Sequence, residues 1–244
     1  MFQKKLTIKR SLGNLKNTKK MGNFLSFKKP KMFVDASEFL EYINKKDKTR
    51  TTIQKDTTER VVNNLQSIIH NEVNAKLWIT SIDKYDSNPY NQIMTIPVEY
   101  ILNNTVNVGI LYREIGHFKY YKQSVKLQVI NSSLFVVCSL ASASFGLLSR
   151  LPYLLPSLLI FHMFSSYKIE RYIEKKCDLY ACERGYNKEL QEYFEDTINL
   201  DKILRNDNWY NWLRISEKGN DRFDFRHPSI TTRIEYITNF DRQI

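Results

Sequence analysis

Apolar and polar positions divide this chain most sharply at one place: from Leu127 to Tyr167, 41 residues, the only charge is Arg150. The first leg, Leu127 to Ser149, is 23 uncharged residues, about 34 Å as a helix and enough to cross a bilayer. The second, Leu151 to Tyr167, has 17, near the lower limit for a span. Pro152 and Pro156 fall in the opening turns of the second leg, where proline is tolerated, and Arg150 falls in the turn between the legs. The pattern predicts a transmembrane helical hairpin over 127–167. A buried core hairpin of a soluble domain is the competing reading, kept open by Ser132, Ser133, Ser139, Ser142, Ser144 and Ser149.

Shorter periods fill the rest of the chain. Asp56-Thr57-Thr58-Glu59 has the form of a capping box, and behind it Val61, Val62, Leu65, Ile68, Ile69 and Val73 recur at helical spacing. Leu77 to Ile82 and Ile93 to Val98 read as strands, and Asn104 to Gln123 as a helix running toward the apolar segment. Lys188 to Leu204 and Ile230 to Phe240 read as later helices, with an irregular stretch around Trp209, Tyr210 and Trp212. Few strands among many helices give a mainly α fold of the α+β kind.

Charge changes this picture at the N-terminus. The net charge of +11 arises in residues 1–34, which carry ten basic side chains and no acidic one, while residues 35–244 carry 27 basic against 26 acidic. The folded part is near neutral, so no nucleic-acid partner is expected. Residues 1–34 form a basic tail, either an organellar transit segment or a disordered arm drawn to anionic lipid. Residues 35–244 form one domain, a length that buries a sizeable core without division. Cys138, Cys177 and Cys182 are an odd number without paired-ligand spacing and read as ordinary thiols. Lys119, Lys122 and Lys126 precede the hairpin and Lys168, Arg171, Lys175 and Lys176 follow it. On the transmembrane reading this is an integral membrane protein, and the positive-inside rule predicts that its flanking helices face the cytosol or a matrix-like compartment.

The candidate chemistry lies on those flanking helices. Tyr112-Arg113-Glu114-Ile115-Gly116-His117 is a His-Glu-x-x-His zinc helix with arginine at the first ligand position. In the intact motif two imidazoles four apart sit about 40° apart around the helix axis and bind one Zn²⁺, with the glutamate beside the metal-bound water. Arg113 cannot be a ligand, because its guanidinium stays protonated. Downstream, Glu174 and Asp178 lie four apart in Glu174-Lys175-Lys176-Cys177-Asp178-Leu179-Tyr180-Ala181, spaced for one helix face, and His227-Pro228-Ser229 precedes Arg233-Ile234. His70 reads as a surface or packing residue and His162 as a hydrogen-bonded polar group within the second apolar leg.

With these segments in this order, roughly residues 60 to 240 resemble metallopeptidase family 48. These are membrane gluzincins that include the type I CAAX prenyl proteases, a bacterial heat-shock membrane protease and a mitochondrial inner-membrane protease. The resemblance implies a gluzincin-like domain with a small edge sheet, the hairpin lying between the two motif helices. It implies zinc held by His117 and Glu174, Glu114 as general base, and Asp178, His227 and Arg233 supporting the site. It also implies an organelle membrane, the mitochondrial inner membrane among them, and a polypeptide substrate. Asn88 to Pro97 looks like the family's edge strand, Asn91 matching its asparagine. Cys177 stands where the family has alanine.

Three functions follow. One is a family-type membrane protein with impaired or lost peptidase activity, because Arg113 replaces a zinc ligand. The second is an active zinc endopeptidase with a substitute ligand such as His227. The third is a non-catalytic membrane tether or partner-binding protein. A fixed cation at 113 should pair with Glu174, Asp178 or both, with Glu114 close by, since buried carboxylates without a metal need a counter-charge.

Overall fold

The structure, a computed structural model, describes residues 33–45, 51–82, 85–145, 151 and 153–241. The greater part of the predicted tail, the turn bearing Arg150, and Pro152 lie outside the described residues. The tail's boundary needs correction: Phe33–Asp35 is strand β1, antiparallel to β2 with Phe33 opposite Thr80. Backbone pairing extends the domain into the last residues assigned to the tail.

A four-stranded sheet, ordered β1-β2-β4-β3, forms one wall of the domain. Strand β2 (Lys76–Thr80) runs parallel to β4 (Ile93–Pro97), and β3 (Asp86–Asn88) returns antiparallel on β4. The predicted edge strand is thereby divided. β3 holds the edge, Asn91 lies in the turn, where its N–H donates to Asn88 Oδ1 at 3.1 Å, and β4 lies inside the sheet. The first predicted strand stops at Thr80, whose Oγ1 accepts from the Ile82 N–H at 3.1 Å.

Helix α1 (Ala36–Lys45) and helix α2 (Thr52–Val73) pack on the sheet. α2 begins earlier than the Asp56 motif suggests: Thr51 is the N-cap, and a reciprocal box with Gln54 satisfies the free N–H groups there. Thr58, Val62, Leu65 and Ile69 then form its buried stripe. After a short α3 (Val98–Leu102), helix α4 runs unbroken from Val108 to Ser144, and α5 runs from Leu154 to Glu183. The helix predicted from Asn104 to Gln123 starts at Val108 and continues past Gln123 into the apolar run without a boundary. A change from polar to apolar side chains does not interrupt i to i−4 backbone bonding, and this stretch holds no proline. Helix α6 (Asn187–Leu204) buries Leu190, Phe194 and Ile198. The stretch expected to be irregular is a short helix, α7 (Trp209–Arg214), capped by Asn208, whose Oδ1 accepts from the Asn211 N–H at 2.8 Å. Helix α8 (Ile230–Asp241) completes the domain.

Ile69, Leu77, Met94, Ile96, Leu111, Ile115, Leu190 and Ile237 are fully buried between sheet and helices, and none lies beyond the hairpin's foot. The two hairpin legs pack against each other: Asn131 Nδ2 donates to Ser166 Oγ at 2.9 Å and to the His162 carbonyl at 3.3 Å, and Phe135 stacks on the His162 ring. Their outer faces are bare, with Val137 62%, Leu140 63% and Phe161 71% exposed. The domain's own core therefore leaves these side chains uncovered. Among the described residues α4 is the helix both long and apolar enough to cross a membrane, and none of its apolar window is buried.

Candidate functional site

Close approach of α4 and α5 builds the site. A Cβ on Gly116 would lie 2.9 Å from Cys177 Cα and 3.1 Å from its Cβ, so the helices meet there at a separation only glycine permits. Around that crossing, Arg113 and His117 on α4 face Glu174 and Asp178 on α5. The α8 helix delivers Arg233 and Tyr236 from a third direction, and β3 delivers Ser87 from a fourth.

The centre of the cluster is the Arg113 guanidinium. Its Nη1 donates to Glu114 Oε1, its Nη2 to Glu174 Oε2, and its Nε to Asp178 Oδ1 at 3.2 Å. Each nitrogen of the fork thus serves a different carboxylate, the arrangement for which a planar guanidinium is suited and an ammonium is not. The expected pairing with Glu174 and Asp178 is present in full, and Glu114 joins it. Ser87 Oγ donates to Glu114 Oε2 at 2.8 Å, so both oxygens of that carboxylate are engaged.

Asp178 is the most enclosed member, with no exposed surface. Arg233 donates to it from Nε at 2.8 Å and from Nη2, and the Tyr236 phenol donates to Oδ2. Arg233 also lies over the Phe194 ring, 4.1 Å from its centroid, which fixes the guanidinium from the apolar side. Burial raises the Tyr236 phenol above its ordinary range, and the adjoining Asp178 carboxylate adds to the rise. Burial acts to raise Glu174 as well, but Arg113, then His117 and Arg233, outweigh it and hold that carboxyl at about 2. Burial also pushes the Cys177 thiol upward despite Arg113 nearby.

The two imidazoles flank Glu174. His117 Nε2 lies 3.5 Å and His227 Nε2 lies 3.6 Å from the same Oε1. His227 is held by Asp224, whose Oδ2 is 2.8 Å from Nδ1 and whose Oδ1 accepts the His227 N–H at 3.1 Å. His70 is exposed on α2, and His162 belongs to the hairpin. All seven residues singled out in the sequence, Arg113, Glu114, His117, Glu174, Asp178, His227 and Arg233, converge here. Ser87, Asp224 and Tyr236 were not singled out. Asp224 and Tyr236 each stand three residues from a chosen neighbour, which was the available signal; Ser87 offered none.

Chemically the cluster is a closed set of ion pairs: three carboxylates, two guanidinium groups and two imidazoles at its rim. Among the described residues, no group of three or more His, Cys, Asp or Glu side chains is disposed to hold a metal ion. Zinc does not fit among these partners as they stand, since Glu114 and Glu174 turn an oxygen each to a fixed cation beside the motif position. Compared with protein-family models, with curated proteins and with solved structures, the chain matches none.

Proposed function

We propose that this chain is a membrane protein of the metallopeptidase family 48 type whose catalytic metal has been replaced by the Arg113 guanidinium. On this reading it binds a polypeptide or a membrane-protein partner without cleaving it. The observation that carries the reading is the three-way fork from Arg113 to Glu114, Glu174 and Asp178. A guanidinium supplies the charge that zinc would have supplied to these carboxylates, so the fold survives. It has no open coordination position to polarise a carbonyl or to acidify a water, which is what the metal contributes to hydrolysis. Glu114, the residue the resemblance makes a general base, is held by Arg113 on one oxygen and by Ser87 on the other. The bare apolar hairpin anchors the protein, and the basic residues flanking it set the site on the cytosolic or matrix-like side of an organelle membrane.

A second reading, an active zinc endopeptidase with a substitute ligand, is favoured by His117 and His227. Their Nε2 atoms flank one oxygen of Glu174 at 3.5 and 3.6 Å, and a metal could join them only if Arg113 released that carboxylate. Asp224 holds the far nitrogen of His227 as a carboxylate does behind a metal-bound imidazole.

Elemental analysis of the purified full chain separates the two. Far less than one zinc per chain is expected. Stoichiometric zinc that resists mild chelation and is lost in His227→Ala would overturn the proposal in favour of the second reading.

A further inference from the structure

The segment from Arg205 to Arg226 exposes an unusual set of side chains. Trp209 is 77%, Trp212 56%, Phe223 54% and Phe225 50% exposed, with Tyr210 and Leu213 beside them. Large apolar side chains grouped this way on a surface mark a site of interaction. Their placement says with what. Phe225 stacks on Tyr167, the last residue of the apolar run, and its carbonyl accepts from Arg171 Nε at 3.0 Å. Arg226 lies 3.8 Å from Glu170. These contacts fix the segment to the foot of the hairpin. The far part is tied to the near part by the Ile215–Asp221 bridge, by Arg222 N–H donating to the Arg214 carbonyl at 2.8 Å, and by the Arg214–Asp221 ion pair at 3.2 Å. The two stretches that bear the exposed aromatics are therefore tied to each other and, through Phe225, to the end of the apolar run.

We propose that residues 209–225 form an interfacial membrane-binding element that seats Trp209, Trp212, Phe223 and Phe225 among the lipid headgroups of the leaflet the hairpin enters. Tryptophan and tyrosine favour this zone because an apolar ring and a polar N–H or O–H are both accommodated there. Attraction is apolar and not ionic: from Arg205 to Arg226 five basic residues face four acidic ones, too little net charge to depend on anionic lipid. The proposal rests on the hairpin being the membrane anchor, and the experiment separates the two.

The full chain carrying Trp78→Phe retains tryptophan only at 209 and 212. It is reconstituted into phosphatidylcholine vesicles brominated either near the headgroup or near the chain terminus. The expected result is a blue-shifted emission that loses most intensity with the shallow bromines and is insensitive to salt. Emission as in water, unquenched by either lipid, overturns the proposal; stronger quenching by the deep bromines also overturns it, since the rings would then lie in the hydrocarbon. If Trp78→Phe does not fold, the emission lost on changing Trp209 and Trp212 to Phe gives the same reading by difference. Cys138, exposed on the first leg, reports on the anchor in the same vesicles. Its protection from a water-soluble maleimide with unquenched tryptophan fails only the interfacial element; its ready labelling with quenched tryptophan fails only the hairpin.

Discussion

Replacing Arg113 by alanine tests the centre of the site, because the substitution removes one cation from three carboxylates at once. Breaking a buried ion pair on one side costs about 3 to 5 kcal/mol, since the remaining charge is left unpaired. The size is consistent with Glu174: its carboxyl is held at about 2 against an ordinary 4.5, worth about 3 kcal/mol at 1.36 kcal/mol per unit. Arg113 supplies the largest lowering contribution to that figure. For a domain of this length the loss should lower the thermal midpoint by about 10 °C, measured in detergent by helical circular dichroism. The pH dependence is more specific than the magnitude. In the wild type the Glu174 carboxyl is depressed, so its stabilisation is present above about 4.5 and is lost as pH falls toward about 2. In Arg113→Ala the buried carboxyl loses its main counter-charge and moves upward, so the penalty grows as pH rises above 4.5. Wild type should thus be flat or improve from pH 4.5 to 7, and the variant should worsen. Arg113→Lys keeps a charge but not the fork and should fall between them. An alanine variant as stable as wild type, with the same pH profile, refutes the substituted-site argument.

Further predictions follow from neighbouring contacts. Gly116→Ala places a methyl 2.9 Å from Cys177 Cα and should cost about 1 to 3 kcal/mol by forcing the helices apart; an unchanged unfolding midpoint would reject the close crossing. Tyr236→Phe removes a donor to the buried Asp178 and should cost about 1 to 2 kcal/mol, with Arg233 still holding the carboxylate; a midpoint matching wild type would show that bond to be worthless. In detergent, maleimide should reach Cys177 and Cys182 only after denaturation, since both are buried and burial holds the Cys177 thiol protonated. Mass spectrometry showing fast modification at Cys177 would contradict its enclosure. Arg113→His should bind zinc and become more stable when zinc is supplied, as measured by elemental analysis and thermal unfolding; indifference to zinc would mean that His117 and Glu174 no longer form a ligand pair.

What the sequence disclosed depended on whether the cause was local. The apolar run from Leu127 is legible because absence of charge over that length has few explanations, and the helical stripe of Val62, Leu65 and Ile69 is legible because periodicity is local. The start of α2 was misplaced because Thr51 with Gln54 and Asp56 with Glu59 offer the same signal five residues apart, and only the fold selects between them. β1, three residues beside a basic tail, carries no pattern of its own and exists through its pairing with β2. At the site, Arg113 was readable because charge must be compensated wherever the fold places it. Ser87 was not, since its role comes from β3 passing the open side of Glu114, a matter of tertiary position.

On the proposed membrane reading, the unbroken course of α4 also fixes the height at which a partner would work. His117 stands ten residues before Leu127 on a continuous helix, about 15 Å along its axis, and Glu174 stands seven residues past Tyr167 on another, about 10 Å. With α4 and α5 unbroken between the apolar run and the cluster, that separation is a property of the scaffold and not of a flexible stalk. A segment lying within the hydrocarbon is beyond its reach, and so is the distal part of a large soluble domain. On the proposed function, what the cluster would meet is a stretch of polypeptide just clear of the lipid surface, such as the first few residues by which another membrane protein leaves its own span.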